Sequence, residues 1–213
     1  MSPDLSAFVE NSEHVARILH REWIVDGVLQ VNAFALSDGE TYISVNRPVV
    51  ETFAFDVSDF VHKHPLYMAS EESDSCHLAT LQVSDVRKME VCFKEKVANL
   101  AIEVEPRDTH YKSHAGIFTR VEGKNIKGGQ KADFAIGEGQ VASYEDILLK
   151  VQHQLLALST LERKELNTAS AHITGNTQVL GNVLGGGRSA HSDACSGKNE
   201  GEVGGSAKVN IED

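Results

Sequence analysis

The sequence predicts an α+β fold: an antiparallel or mixed twisted sheet of about five to seven strands, packed against a long C-terminal helix and two shorter helices. Three observations carry that prediction. In LAIEVEP, Leu100, Ile102 and Val104 alternate with Ala101, Glu103 and Glu105, the pattern of a sheet with one face in water. Behind Ser143, which stands three residues before Asp146 as a capping pair, Ile147, Val151, Leu155 and Leu158 recur at helical spacing. The dipeptides Asp26-Gly27 and Asp38-Gly39 punctuate strand-like runs and tolerate the positive backbone angles of tight hairpin turns.

Taken in order, SEHVARILH over 12–20 begins with a capping Ser and places Val15, Ile18 and Leu19 on one face, which predicts a short amphipathic helix. VLQVNAFAL and ETYISVN follow as strands, with Ile43 and Val45 on the buried face and Tyr42, Ser44 and Asn46 on the other. Trp23 and Phe34 are expected in the core. After Pro48, a second short helix runs to His64, capped by Asp56 or Ser58 and stopped by Pro65. HLATLQV, MEVCF, LAIEVEP and HAGIFTRV read as further strands, and SDVRKM as one helical turn. The long helix is expected over SYEDILLKVQHQLLALSTLERKEL, from Ser143 to Leu166.

All aromatic residues lie at or before Tyr144, whereas glycines crowd the end of the chain. Large aromatic side chains supply much of the area a core buries. The expectation is therefore a single domain over 1–165 followed by a Gly-rich, disordered tail over 166–213. A net charge of −11 argues against general nucleic-acid binding and against adhesion to an anionic membrane. With no spanning apolar run and no basic, apolar leader in MSPDLSAFVE, the expected location is cytoplasmic. Cys76, Cys92 and Cys195 form no CxxC pair and are read as reduced thiols.

No strong catalytic motif is present. His110 and His114 stand four apart but sit in a loop entering a strand, without the Glu of a zinc-protease helix, so no metal site and no cofactor is expected. GKNIKGGQK lacks the order of a P-loop. The most promising constellation gathers at strand ends. His20, Ser44 and His114 are the candidate catalytic groups, and Arg21, Arg47 and Arg107 the candidate ligand-binding groups. Guanidinium groups clamp anions through paired hydrogen bonds, and imidazole changes charge near neutral pH. All six depend on one sheet edge bringing them together.

HREW-VDG-LQ-NAFAL, ETYISVNRP and SHAGIF resemble a group of small uncharacterised bacterial proteins that share a Trp-containing turn, an AF couplet, an SVxR strand and a late His-Ala strand. The resemblance spans roughly His14 to Leu161. It implies a compact bacterial cytoplasmic domain and carries over no catalytic residue. Two readings of function follow. One is a non-enzymatic accessory or ligand-binding module, with an acidic surface selecting a protein partner or a pocket taking a small anionic ligand. The other is a small enzyme acting on a nucleotide or another phosphorylated ligand through the His and Arg residues at strand ends.

Overall fold

In the computed structural model, which describes residues 8–93, 96–107, 109–137, 139–166 and 178–179, pairing throughout the main sheet is antiparallel. The chain runs β1 (His14–Leu19), β2 (Ile24–Val25), β3 (Val28–Leu29), β4 (Ile43–Asn46), α1 (Phe53–Lys63), β5 (Ser75–Gln82), α2 (Val83–Arg87), β6 (Cys92–Phe93) and β7 (Lys96–Val97). It continues with β8 (Leu100–Pro106), β9 (His114–Val121), β10 (Lys124–Asn125), β11 (Asp133–Gly137), β12 (Gln140–Ser143), α3 (Tyr144–Leu158), β13 (Thr160–Glu165) and β14 (Gln178–Val179). The main sheet has the order β10-β9-β4-β1-β5-β13-β14, with β8 also paired to β9. The pairs β2-β3, β6-β7 and β11-β12 are separate hairpins. Among the described residues no helix is long and apolar enough to cross a membrane.

Each face of this sheet carries its own core. On one, Val15, Leu19, Ile43, Val45, Ile102, Val104 and Ile117 pack with Ile147, Val151 and Leu155 of α3. On the other, Ala16, Ile18 and Leu78 lie with Phe53, Val57 and Val61 of α1. Burying each Val, Leu, Ile or Phe contributes about 1.5–3 kcal/mol, so the two apolar faces hold the sheet between the helices.

Three expectations are corrected. His14–Leu19 is a strand, because its apolar residues serve both faces: Val15 and Leu19 enter one core, Ala16 and Ile18 the other, and all six residues pair with β5. A short apolar run reads equally well as helix or strand until its partners are known. The second half of the predicted long helix is β13, since α3 ends at Leu158 and Thr160–Glu165 pairs with β5 in full register. Within VLQVNAFAL only Val28–Leu29 is extended; Val31–Phe34 forms a 3-10 turn that buries Ala33 and Phe34.

Asp26 and Gly27 have φ of 51° and 77° and turn the β2-β3 hairpin. The second Asp-Gly pair makes no hairpin: Asp38 bridges to Gly128 instead. A Cβ on Gly128 would lie 2.2 Å from the Ser37 carbonyl oxygen, so only glycine permits the two loops to cross there. Cys76 is a buried free thiol, raised to about 12 by burial, whereas Cys92 is disulfide-bonded, correcting the expectation of three reduced thiols. Of the tail expected to be disordered, only Leu166 and Gln178–Val179 are described, the latter as β14; the rest lies outside the described residues.

Candidate active site in the cleft beside helix α1

Helix α1 covers the β1-β5 part of its face and stops short of β9, leaving a cleft of about 460 Å³ at the boundary. Ser44 and Asn46 of β4 and His114 of β9 lie in it, with Asp56 and Phe60 on the α1 side, and Trp23 and Tyr67 add aromatic wall. The loop before β9 contributes Thr109, His110 and Tyr111.

Register brings the reactive groups together. Ser44 is paired with Gly116 and Asn46 with His114, so Ser44 and His114 are diagonal neighbours on one face of the β4-β9 ladder. The imidazole reaches back along the strand, and Ser44 Oγ lies 2.8 Å from His114 Nε2. The other ring nitrogen, Nδ1, is 3.1 Å from Thr109 Oγ1. Thr109 donates its own hydroxyl proton to the Tyr111 carbonyl at 3.1 Å, so its oxygen is left to accept. That assigns the proton of the ring to Nδ1 and leaves the Nε2 lone pair facing the Ser44 hydroxyl. Burial, and then the charge of Arg107, lower the His114 pKa and keep the imidazole neutral near pH 7.

The relay is held from both sides. Asp56 Oδ2 accepts the Ser113 backbone N–H at 2.8 Å and the Thr52 hydroxyl at 2.8 Å, which ties α1 to the residue before His114. Ser113 Oγ donates to Asn46 Oδ1 at 3.3 Å, leaving the NH₂ end of Asn46 to donate. Tyr111 is fastened to α1 through its hydroxyl, which donates to Asp59 at 2.9 Å. Arg17 fills the gap where β1 and β4, paired only at Ala16 and Asn46, diverge. It donates to the Ala33 and Ser44 carbonyls and stacks on Trp23 at 5.1 Å. Burial lowers Arg17 to about 10, so it remains a cation at neutral pH.

Of the six residues singled out in the sequence, Ser44 and His114 form the bonded pair, and Arg107 stands beside them. Arg107 lies over the Tyr42 ring at 4.7 Å, and Tyr42 in turn packs against the His114 ring at 5.9 Å. His20 packs behind Trp23 and Tyr67, 5.7 and 5.4 Å from their rings, with its Nδ1 accepting from the Glu22 amide. Arg21 pairs with Glu71 at 2.9 Å. Arg47 is 1% exposed, with its guanidinium spent on Glu13 and the Phe8 carbonyl.

Sequence reasoning missed Arg17, Thr109, Asn46 and Asp56. Arg17 carried a signal, a lone cation inside the apolar run HVARIL, which a helical reading assigns to solvent. Thr109 carried none, since its role arises from the path of a loop.

Among the described residues no group of three or more His, Cys, Asp or Glu side chains is placed to hold a metal ion. Comparison with protein-family models, curated proteins and solved structures finds no match to this chain.

Proposed function

We propose that the cleft is the active site of a small serine-nucleophile hydrolase acting on an ester. The observation that carries this reading is the 2.8 Å contact between Ser44 Oγ and the lone-pair nitrogen of an imidazole whose other nitrogen is anchored on Thr109. A hydroxyl is a weak nucleophile until a base takes its proton, and a base works when a third group fixes its tautomer.

In the reaction, His114 Nε2 takes the Ser44 proton as Oγ bonds to the ester carbonyl carbon. The ester C–O bond then breaks, and the departing alcohol oxygen takes that proton from the imidazolium. Water next attacks the acyl-Ser44 ester, giving its proton to His114 and releasing the acid as Oγ recovers one. Asn46, two residues from Ser44 on the same strand face, presents its amide N–H to the oxygen that becomes negative; one such donor is worth about 100-fold or more in rate.

A second reading, ligand binding without turnover, is favoured by one feature of the same relay. Thr109, which meets His114 Nδ1, is neutral, and the charge acting on His114 is that of the cation Arg107, so neither stabilises the imidazolium formed in the first step. Hydrolysis of para-nitrophenyl acetate and butyrate separates the two. Turnover by the native chain that Ser44→Ala and His114→Ala both abolish supports the hydrolase. Turnover equal to that of the Ser44→Ala chain leaves the binding reading.

A further inference from the structure

We propose that Arg107 is the anchor for an anionic group of the substrate, so that the cleft selects esters carrying a carboxylate or phosphate close to the scissile bond. This rests on the hydrolase reading for the word ester, but the anion site stands on its own geometry.

Among the described residues every arginine but Arg107 has its guanidinium engaged in hydrogen bonds. Arg17 bonds the Ala33 and Ser44 carbonyls, Arg21 Glu71, Arg47 Glu13, Arg87 Asn11 and Val104, Arg120 Glu105 and Asn125, and Arg163 Ser75. Arg107 is exposed and makes none with its side chain, yet it is not loose. Its guanidinium is stacked over Tyr42 at 4.7 Å and Phe118 at 5.6 Å, and its backbone N–H donates to the His114 carbonyl at 2.9 Å. Stacking on an aromatic face holds a guanidinium in place while leaving its in-plane N–H donors unused, which is the state that suits paired binding of an oxyanion.

The platform is itself built in. Tyr42 lies against Gly116, where an added Cβ would come within 2.6 Å of the ring. Glycine at the position paired with Ser44 therefore lets the Tyr42 ring pack between His114 and Phe118, tilted to both, and carry the cation next to the reactive pair. On the far side of Ser44 the wall is aromatic, with Trp23, Phe60 and Tyr67. The ligand that fits both ends has an apolar or aromatic portion for that wall and an oxyanion for Arg107, with its ester between them at Ser44.

The arrangement also couples binding to chemistry. The positive charge of Arg107 disfavours the imidazolium at His114. An anion on Arg107 offsets that charge and makes His114 a better base when the correct substrate is in place. A neutral ester does not.

The test compares para-nitrophenyl acetate with the para-nitrophenyl monoester of succinic acid, whose free carboxylate is close to the ester. The native chain is expected to favour the succinate ester in kcat/KM by roughly tenfold, as a charged pair of hydrogen bonds provides, and Arg107→Gln to remove that preference. In parallel, the Ser44→Ala chain, with and without Arg107→Gln, is titrated calorimetrically with succinate and with phenyl phosphate. Heat that disappears with Arg107→Gln supports the anchor, and the better-bound ligand tells carboxylate from phosphate. Ser44-dependent turnover with the same ester preference in native and Arg107→Gln chains overturns the anchor alone. Arg107-dependent binding without turnover of either ester overturns the hydrolase alone. Binding of neither anion, with no ester preference, removes the anion site.

Discussion

The Asp56 carboxylate accepts the backbone N–H of Ser113 at 2.8 Å, in a buried contact that fastens helix α1 to the residue preceding His114. Removing that acceptor leaves a buried donor unpaired, which costs about 1–3 kcal/mol. Asp56→Ala is expected to lower Tm by several degrees and to reduce ester turnover, because the start of β9 is released. Asp56→Asn, which retains an acceptor oxygen, is expected to recover most of the stability in the same thermal melt.

The buried ion pair between Arg47 and Glu13 is structural. Both Glu13 oxygens are engaged, at 2.9 Å by Arg47 Nε and at 2.8 Å by a terminal nitrogen. Arg47→Met strands a carboxylate at a site 6% exposed, at a cost of about 3–5 kcal/mol. The double variant Glu13→Gln with Arg47→Met is expected to be more stable than Arg47→Met alone in a denaturant titration.

That pair also predicts an acid limb of stability. Burial pushes the Glu13 carboxyl up, but the hydrogen bonds from Arg47 and the Glu10 amide, with the charges of Arg47 and Arg87, bring it below its ordinary value of 4.5. A carboxyl lowered by folding stabilises fully above its unfolded value and loses that contribution as pH falls through its folded one. Chemical denaturation is expected to show stability falling as pH drops below 4.5, with this component missing from the double variant.

His114 predicts the opposite end of the chemistry. Its pKa is lowered by burial and then by Arg107, and the reaction needs the neutral ring. Activity is therefore expected to be full at pH 7 and to be lost as pH falls below the ordinary histidine value of 6.5. Arg107→Gln removes a nearby positive charge, so the acid limb of kcat/KM for the neutral ester is expected to move upward, toward 6.5. An unmoved limb assigns the titration to another group.

Thr109 tests the tautomer. Thr109→Val keeps the shape of the side chain and removes the oxygen that accepts from His114 Nδ1. The expected outcome is a fall of about tenfold in kcat, the equivalent of one hydrogen bond of roughly 1.4 kcal/mol, with little change in Tm.

Much of this fold was legible where a pattern has one reading. The alternation of LAIEVEP and the capping pair Ser143 and Asp146 mark β8 and the start of α3 correctly, and alternation in ISVN places Ser44 on the face opposite Ile43 and Val45, where it meets His114. Illegible were the elements decided by partners. HVARIL and TLERKE both read as helix, yet each pairs in full with β5, a strand long enough to order both. The same holds for the site. Ser44 and His114 were nameable as chemical groups, whereas Thr109 and Asp56 matter only because a loop and a helix bring them to the start of β9.

The most direct test of the Ser44–His114–Thr109 relay is labelling of the intact chain with a fluorophosphonate, followed by peptide mass spectrometry. A single phosphonyl adduct on Ser44, suppressed by His114→Ala and slowed by Thr109→Val, is the predicted result. A folded chain that takes no label at Ser44, or labels there equally fast after His114→Ala, contradicts an activated serine in this cleft.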